Sequence, residues 1–450
     1  MASEPSVIDR AGLATLMFEE EQRFVELHPR SSELAEAGRR HLLAGVPMPW
    51  MTRWPGAFPI HVASADGARF VDVDGVEYVD FCLGDTGAMA GHRAVGRSAA
   101  EATSTTMLPS EDAAWVADEL HRRFGMAKWQ LTTSATDANR FVLRFARHLT
   151  RRPKIAVMDW CYHGTVDETL AILDPDGRVV SRPGAVGPQV DPSVTTRVVP
   201  FNDLDALDAA LAHGDVAALL MEPALTNIGI VLPQPGYHDA VREITRRHDV
   251  LLIIDETHTI SAGPGGCTRA WGLDPDVVVI GKPIGGGFPV AAYGATDEIA
   301  TTIDPALHGH DADVAGVGGT LAGSAMATAA IRATLSATLL DADYERMIPL
   351  ASRWTDGVRD AIARRGLGWS VQQLGCRAEY WFCPLPANGA DAAAAVDDEL
   401  DAFMHLWALN RGILMTPFHN MALVSPAHTD TDVDRHTEVF DAALTVLTAS

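Results

Sequence analysis

The stretch Val277-Val278-Val279-Ile280-Gly281-Lys282-Pro283-Ile284-Gly285-Gly286-Gly287 decides how this chain is read. Its first four residues are β-branched, and so short a run suits a strand covered on both faces. A lysine follows after one residue, then a proline and three glycines. Lysine is rarely fully buried without a partner. At the end of a buried strand it is either a solvated cap or a chemical group held in a dry site. The glycines favour the second reading, because a residue without Cβ lets backbone approach a ligand closely.

The segments around this stretch alternate between helical and strand-like. Ala113–Arg123 reads as a helix, Leu131-Thr132-Thr133 as the end of a strand, and Ala138–His148 as a helix. Lys154–Asp159, Thr195–Pro200, Val216–Met221 and Val250–Ile254 read as strands, with a helix over Tyr237–His248. Such β-α alternation predicts a mostly parallel sheet covered by helices, with ligands bound beyond the carboxyl ends of its strands. Leu173–Ser193 reads as a long loop rich in Gly and Pro, of a length that usually covers a site or is disordered.

Before the sheet lie two amphipathic helical runs within residues 1–45, a proline-broken stretch holding Trp50, Arg53 and Trp54, and a hairpin around Asp74-Gly75. From about 337 the pattern becomes α+β. With 450 residues, more than one domain is expected. We divide the chain into an N-terminal segment 1–80 that joins a smaller domain, a large domain 81–336, and a C-terminal portion 337–450 of the smaller domain.

The balance of 59 acidic against 35 basic residues gives a net charge of −24, which repels phosphate backbones and argues against nucleic acid as a partner. Five scattered cysteines without C-x-x-C spacing argue against a disulfide framework or a zinc site and suit a reducing cytoplasm. The first residues carry no basic and apolar regions of a secretory signal, and no apolar run approaches membrane-spanning length. His308-Gly309-His310-Asp311 lacks supporting ligand spacing, so no metal is expected. Neither a G-x-G-x-x-G nor a P-loop is present.

Four further groups stand at strand ends. Ser134-Ala135-Thr136 opens a helix, where hydroxyls and amide N–H groups either cap the helix or bind an anion. Asp255 closes an apolar strand, either capping a turn or holding a cation. Tyr162, in Tyr162-His163-Gly164, is a core-edge aromatic or a stacking surface. Gly318-Gly319-Thr320 with Gly323 is a helix-entry turn or a second anion contact. Taken together they suit one ligand with a phosphate, a flat ring and a carbonyl. Ser134 and Thr136 would take the phosphate, Tyr162 a ring face, Asp255 a protonated ring nitrogen, and Lys282 the carbonyl as a Schiff base. Pyridoxal 5′-phosphate is that ligand.

With these residues the chain resembles the class III, fold-type I, pyridoxal-phosphate aminotransferases, and most of all their glutamate-1-semialdehyde aminomutase branch. The stretches that carry the resemblance are Asp72–Asp80, Gly91-His92, Ser134–Ala138, Tyr162-His163-Gly164, Glu222-Pro223 with Asn227-Ile228-Gly229, Asp255-Glu256, Gly281–Gly287, Gly319–Gly323 and His428–Asp434. The resemblance implies a seven-stranded, mostly parallel sheet in the large domain, a smaller α+β domain built from both termini, and a cytoplasmic homodimer with a shared active site. It makes Lys282 the aldimine lysine and proton shuttle, and Asp255 the partner of the ring nitrogen. Ser134, Ala135, Thr136, Tyr162, His163, Glu222 and Asn227 become cofactor contacts, and Thr320 reaches the phosphate of the neighbouring subunit. Arg53 and Arg377 become rival clamps for a substrate carboxylate.

Two departures stand out. Ser134-Ala135-Thr136 replaces the family's Ser-Gly-Thr or Ser-Gly-Ser, and Thr257-His258-Thr259-Ile260-Ser261-Ala262 replaces Val-x-Thr-Gly-x-Arg. His258 thereby becomes a candidate for shaping the pocket. The function expected is an aminotransferase that moves an amino group from an amino acid or amine, a β- or ω-amino acid included, to a keto acid through Lys282. The alternative is an intramolecular aminomutase of the glutamate-1-semialdehyde type. A non-catalytic pyridoxal-phosphate-binding regulator is the remote third.

Overall fold

A computed structural model describes residues 8–95, 105–186, 190–308 and 316–449. The chain divides into two compact units. One comprises Met1–Arg93, Ala342–Leu385 and Ala395–Ser450; the other comprises Ala94–Asp341 and Pro386–Ala394.

The first unit begins with helices Arg10–Leu27 and Pro29–Gly38. Asp9 starts the first by accepting from the amides of Ala11 and Gly12, and Pro29 starts the second. Strands β1 (Val62–Asp66), β2 (Arg69–Asp72) and β3 (Glu77–Asp80) follow as an antiparallel meander. The hairpin expected at Asp74-Gly75 joins β2 to β3. Asp72 Oδ1 accepts from the amides of Asp74 and Val76, and Gly75 takes a φ of +87° that suits glycine.

The second unit holds β4 (Lys128–Thr132), β5 (Lys154–Met158), β6 (Ala171–Leu173), β7 (Val179–Ser181), β8 (Thr196–Val199), β9 (Val216–Met221), β10 (Leu251–Asp255), β11 (Val277–Ile280) and β12 (Ala291–Ala295). Seven of them form one sheet in the order β4-β12-β11-β10-β9-β5-β8. β12 runs antiparallel to both neighbours; the other pairings are parallel. β9, β10 and β11 lie in the middle, which is why their sequences are unbroken apolar runs. All of β9 and β11 is buried. Helix Ala135–Thr150 presents Ala138, Phe141, Val142, Phe145 and Ala146 as its buried face.

The segment read as a long loop from Leu173 to Ser193 is partly structured. β6 and β7 form a two-stranded hairpin across Asp174–Arg178, and residues 187–189 lie outside the described range. The short branched runs Ala-Ile-Leu and Val-Val-Ser find each other as partners without joining the main sheet.

The chain then returns to the first unit with helix Asp341–Arg364, β13 (Ser370–Leu374), β14 (Arg377–Trp381), helix Asp398–Leu409, β15 (Ile413–Leu414), β16 (Met421–Leu423) and helix Asp430–Ala449. β15 pairs parallel to β3, so the N- and C-terminal portions share a sheet. Phe81, Trp354, Tyr380, Phe403 and Phe440 centre one core there. Among the described residues no helix is long and apolar enough to cross a membrane, and no group of three or more His, Cys, Asp or Glu side chains could hold a metal. Gly309, His310 and Asp311 lie outside the described residues. All five cysteines are free thiols.

Candidate active site

Lys282 follows β11 at the start of a short 3-10 turn, Lys282–Gly285, with φ +42°. A left-handed backbone at a non-glycine residue is uncommon and persists where the surroundings over-determine it, often at functional sites. The surroundings here are tight. A Cβ on Gly281 would lie 2.9 Å from Ala135 Cβ, so the lysine turn sits directly against the first residue of helix Ala135–Thr150.

That helix start pairs a capping hydroxyl with first-turn amides. Ser134, in extended conformation, accepts from the amide of Asp137 at 3.2 Å, leaving the first-turn amides of Ala135 and Thr136 without an intrahelical acceptor by helix geometry. Thr136 Oγ1 accepts from the amide of Thr165 at 3.1 Å. Gly164 closes the same corner at φ +78°, where a Cβ would come within 2.1 Å of Thr136 Oγ1. Ser134, Ala135, Thr136 and Tyr162 are all half-buried.

Asp255, the last residue of β10, is 4% exposed. Its Oδ2 accepts from His163 Nδ1 at 2.9 Å and from Asn139 Nδ2 at 3.0 Å, and its Oδ1 accepts from the amide of Thr257 at 3.1 Å. Burial alone would push its pKa up. The hydrogen bond and charge of His163, with Thr257 and Asn139, outweigh that and bring it down to about 2. Burial likewise opposes charge on His163, yet Cys161 and Asp255 beside it hold the imidazole well above its ordinary value. The two form a buried ion pair, and Oδ1 keeps capacity for one more donor. Asp255 therefore remains a carboxylate in a nearly dry site, which a cationic ring N–H would require.

One residue of this set was not read from the sequence. Asn139 is fully buried on the apolar face of its helix and donates both to Asp255 and to the His163 carbonyl at 3.2 Å. A polar side chain among Ala138, Phe141 and Val142 is the signal that could have found it. His258, the departure noted above, stands at the lysine itself, its Nε2 2.8 Å from Lys282 Nζ.

Glu222 is buried at the end of β9 and accepts from the Thr226 hydroxyl; Asn227 is half-buried in the loop that follows. Thr320 is exposed in its turn before helix Ala325–Ala337. In the first unit Arg53 is exposed at the end of a 3-10 turn. Arg377, by contrast, is 1% exposed, donates to Thr86 Oγ1 and lies 3.9 Å from Asp85. The structure thus brings Ser134, Ala135, Thr136, His163, Asp255, His258 and Lys282 together through these contacts. Glu222, Asn227, Thr320, Arg53 and Arg377 are placed by their own elements.

Comparison with known proteins follows the same lines. The family described as Aminotransferase class-III matches residues 50–353, more than half of the chain. A crystal structure of a variant glutamate-1-semialdehyde-aminomutase from Pseudomonas aeruginosa PAO1 in complex with PMP is 48% identical, covers 98% of this chain and 99% of its own, and superposes with a TM-score of 0.94. A glutamate-1-semialdehyde 2,1-aminomutase 2 from Brevibacillus brevis is 32% identical over 91% of this chain and 96% of its own length. An omega-transaminase from Sphaerobacter thermophilus is 28% identical, covers 93% of this chain and 98% of its own, and has a TM-score of 0.84. The expected fold is borne out: the seven-stranded, mostly parallel sheet is that of the fold-type I enzymes. On these grounds the chain belongs to the class III aminotransferases.

Proposed function

We propose that this enzyme uses pyridoxal 5′-phosphate to shift an amino group between adjacent carbons of one small carboxylate-bearing substrate, of the glutamate-1-semialdehyde type. The observation that carries the reading is the 48% identity to the Pseudomonas aeruginosa aminomutase over nearly the whole of both chains. The residues alone put an intermolecular aminotransferase first; the relatives favour the alternative.

The residues present fit the cofactor. The ionised, nearly dry Asp255 has an oxygen to spare, and the Gly164 corner leaves no room for a side chain against Thr136. Ser134, Ala135 and Thr136 would hold the phosphate, Tyr162 a ring face, Asp255 the ring nitrogen, and Lys282 the aldehyde carbon. When bound, pyridoxal phosphate supplies an electron sink for the carbanion formed beside the amine. Asp255 keeps a proton on the ring nitrogen, with His163 and Asn139 fixing its orientation. Lys282 Nζ takes a proton from one carbon and returns it at another, with no second substrate required. Thr320, exposed in its turn, suits a hydroxyl offered to the phosphate of a second copy, and we include a homodimer in the proposal.

An aminotransferase remains the second reading. Thr257–Ala262 lacks the arginine and glycine that the family's segment carries, and the omega-transaminase covers nearly the whole chain. The test is an assay with glutamate-1-semialdehyde and no keto acid. Turnover without an acceptor supports the aminomutase; turnover that appears only with added pyruvate or 2-oxoglutarate supports the aminotransferase.

A further inference from the structure

Lys282 has a nitrogen neighbour that the matching segment of the family, Val-x-Thr-Gly-x-Arg, does not specify. His258 Nε2 lies 2.8 Å from Lys282 Nζ, within strong hydrogen-bond range. His258 is only 8% exposed, and the loop that carries it is pinned. The next 3-10 turn, Thr259–Ala262, starts from its backbone, and Ser261 N donates to its carbonyl at 3.2 Å. Glu256 fixes the segment from the other side. Its carboxylate accepts from the Thr259 hydroxyl at 2.5 Å, the Cys267 amide at 3.1 Å and the Thr268 hydroxyl at 2.6 Å. A Cβ on Gly266 would strike that carboxylate at 2.2 Å, so the loop is closed around it. The ring therefore meets the lysine from a rigid base.

We propose that His258 is the proton-relay partner of Lys282. A lysine amine attacks a carbonyl, or removes a proton from carbon, only through a free electron pair. In the relay the N–H bond at Nζ breaks, an N–H bond forms at His258 Nε2, and the freed pair on Nζ becomes the reacting one. The transfer reverses when Nζ must again become a donor. Both nitrogens start and finish each cycle with the protons they began with, and no further reagent is needed. An imidazole suits the task because its unperturbed titration falls near neutral pH. A shift within one substrate calls on the lysine at two carbons, so a fixed partner that takes and returns its proton would be used twice per turnover.

The inference rests on Lys282 being the cofactor amine, as proposed above, and the experiment separates the two. Apo-protein is mixed with pyridoxal phosphate, and uptake is followed by absorbance and by borohydride fixation with mass analysis of the Lys282 peptide. The variants are His258→Gln, which keeps a hydrogen-bonding group without a relay, and His258→Ala, assayed with and without added imidazole. We expect uptake in both to slow by about a hundredfold, the lower end of the range for general acid–base assistance, with final occupancy at Lys282 unchanged. Imidazole should restore much of the rate to His258→Ala. Wild-type uptake rates in His258→Gln would overturn the relay, as would slow uptake in a folded His258→Ala that imidazole leaves unaltered. Absence of any adduct at Lys282 in the wild-type protein would instead remove the reading of the lysine itself. Should His258→Ala fail to fold, His258→Gln alone decides.

Discussion

Replacing Asp255 by asparagine tests whether the site is organised around a buried charge. The substitution keeps the shape and the bond from the Thr257 amide, and removes the anion. The carboxyl sits at about 2 against an ordinary 3.8, a difference of about 1.8. At about 1.36 kcal/mol per unit, the site favours the ionised form by about 2 kcal/mol. The source of that preference is His163, 2.9 Å away. Breaking a buried pair from one side strands the other charge, so Asp255→Asn and His163→Gln should each cost about 3 kcal/mol. The double variant strands nothing and should cost less than their sum by about 2 kcal/mol. The assay is urea unfolding of the four apo-proteins near pH 6.5, reading the transition that the single variants displace. The pH matters by sign. The lowered carboxyl contributes stability that is present above about 4 and lost as pH falls toward about 2. The raised imidazole contributes stability that is full below its ordinary 6.5 and lost as pH climbs past its raised value. Near pH 6.5 both charges are in place. Additive costs, within about 0.5 kcal/mol, would refute the ion pair and with it the reason for a permanently charged Asp255.

Lys282→Gly should abolish turnover and borohydride trapping while making the apo-protein about 1 kcal/mol more stable, since it releases the left-handed backbone at φ +42°; thermal melts of apo-protein check this, and a less stable variant would mean the turn is not strained. Gly164→Ala places a Cβ where Thr136 Oγ1 stands and strains a φ of +78°, so pyridoxal-phosphate affinity should fall at least about tenfold by spectroscopic titration, with Thr136→Ala in the same chain recovering only part. In the first unit, burial pushes the Asp401 carboxyl up to about 7 from 3.8, with Glu379, Asp397 and Asp398 adding to it. A raised acid stabilises the fold at low pH and loses that contribution as pH rises through about 7, so Asp401→Asn should gain stability over wild type above pH 7, by up to about 4 kcal/mol. Parallel stability curves for the two proteins from about pH 5 to pH 9 would contradict it.

The central strands were legible because both their faces are covered. Val216–Met221 and Val277–Ile280 have the limits expected from the sequence, and β10 differs only in its ends. β12 was missed for a physical reason. Ala291-Ala292-Tyr293-Gly294-Ala295 contains no β-branched residue, and small side chains are needed where Gly294 passes under the Trp129 ring, 2.6 Å from a would-be Cβ. Its position between β4 and β11 comes from tertiary pairing and leaves no local mark. Helix Leu204–Leu211 is short, and its N-cap Asp203 follows Asn202 and precedes a run that could equally be a loop.

The site divides along the same line. Lys282 and Asp255 could be singled out as candidates because each is an ionisable residue close to the end of an apolar run, where chemistry or a partner is demanded. Asn139, His163 and His258 could not be assigned their partners, since the distance from one strand end to the next is set by the sheet and not by sequence separation. The order β11-β10-β9 brings Lys282 and Asp255 to adjacent strand ends 27 residues apart in number, while helix Ala135–Thr150 reaches both from 116 residues before Asp255, as the Asn139 bond shows. What makes these groups a site is that the same helix start packs on Gly281 through Ala135, meets Gly164 through Thr136 and reaches Asp255 through Asn139. Each contact belongs to its own residue, and Ala135 carries the one to Gly281. Ala135→Gly, the residue of the related enzymes, removes the Cβ that meets Gly281 and should loosen the lysine turn without touching the carboxylate pair.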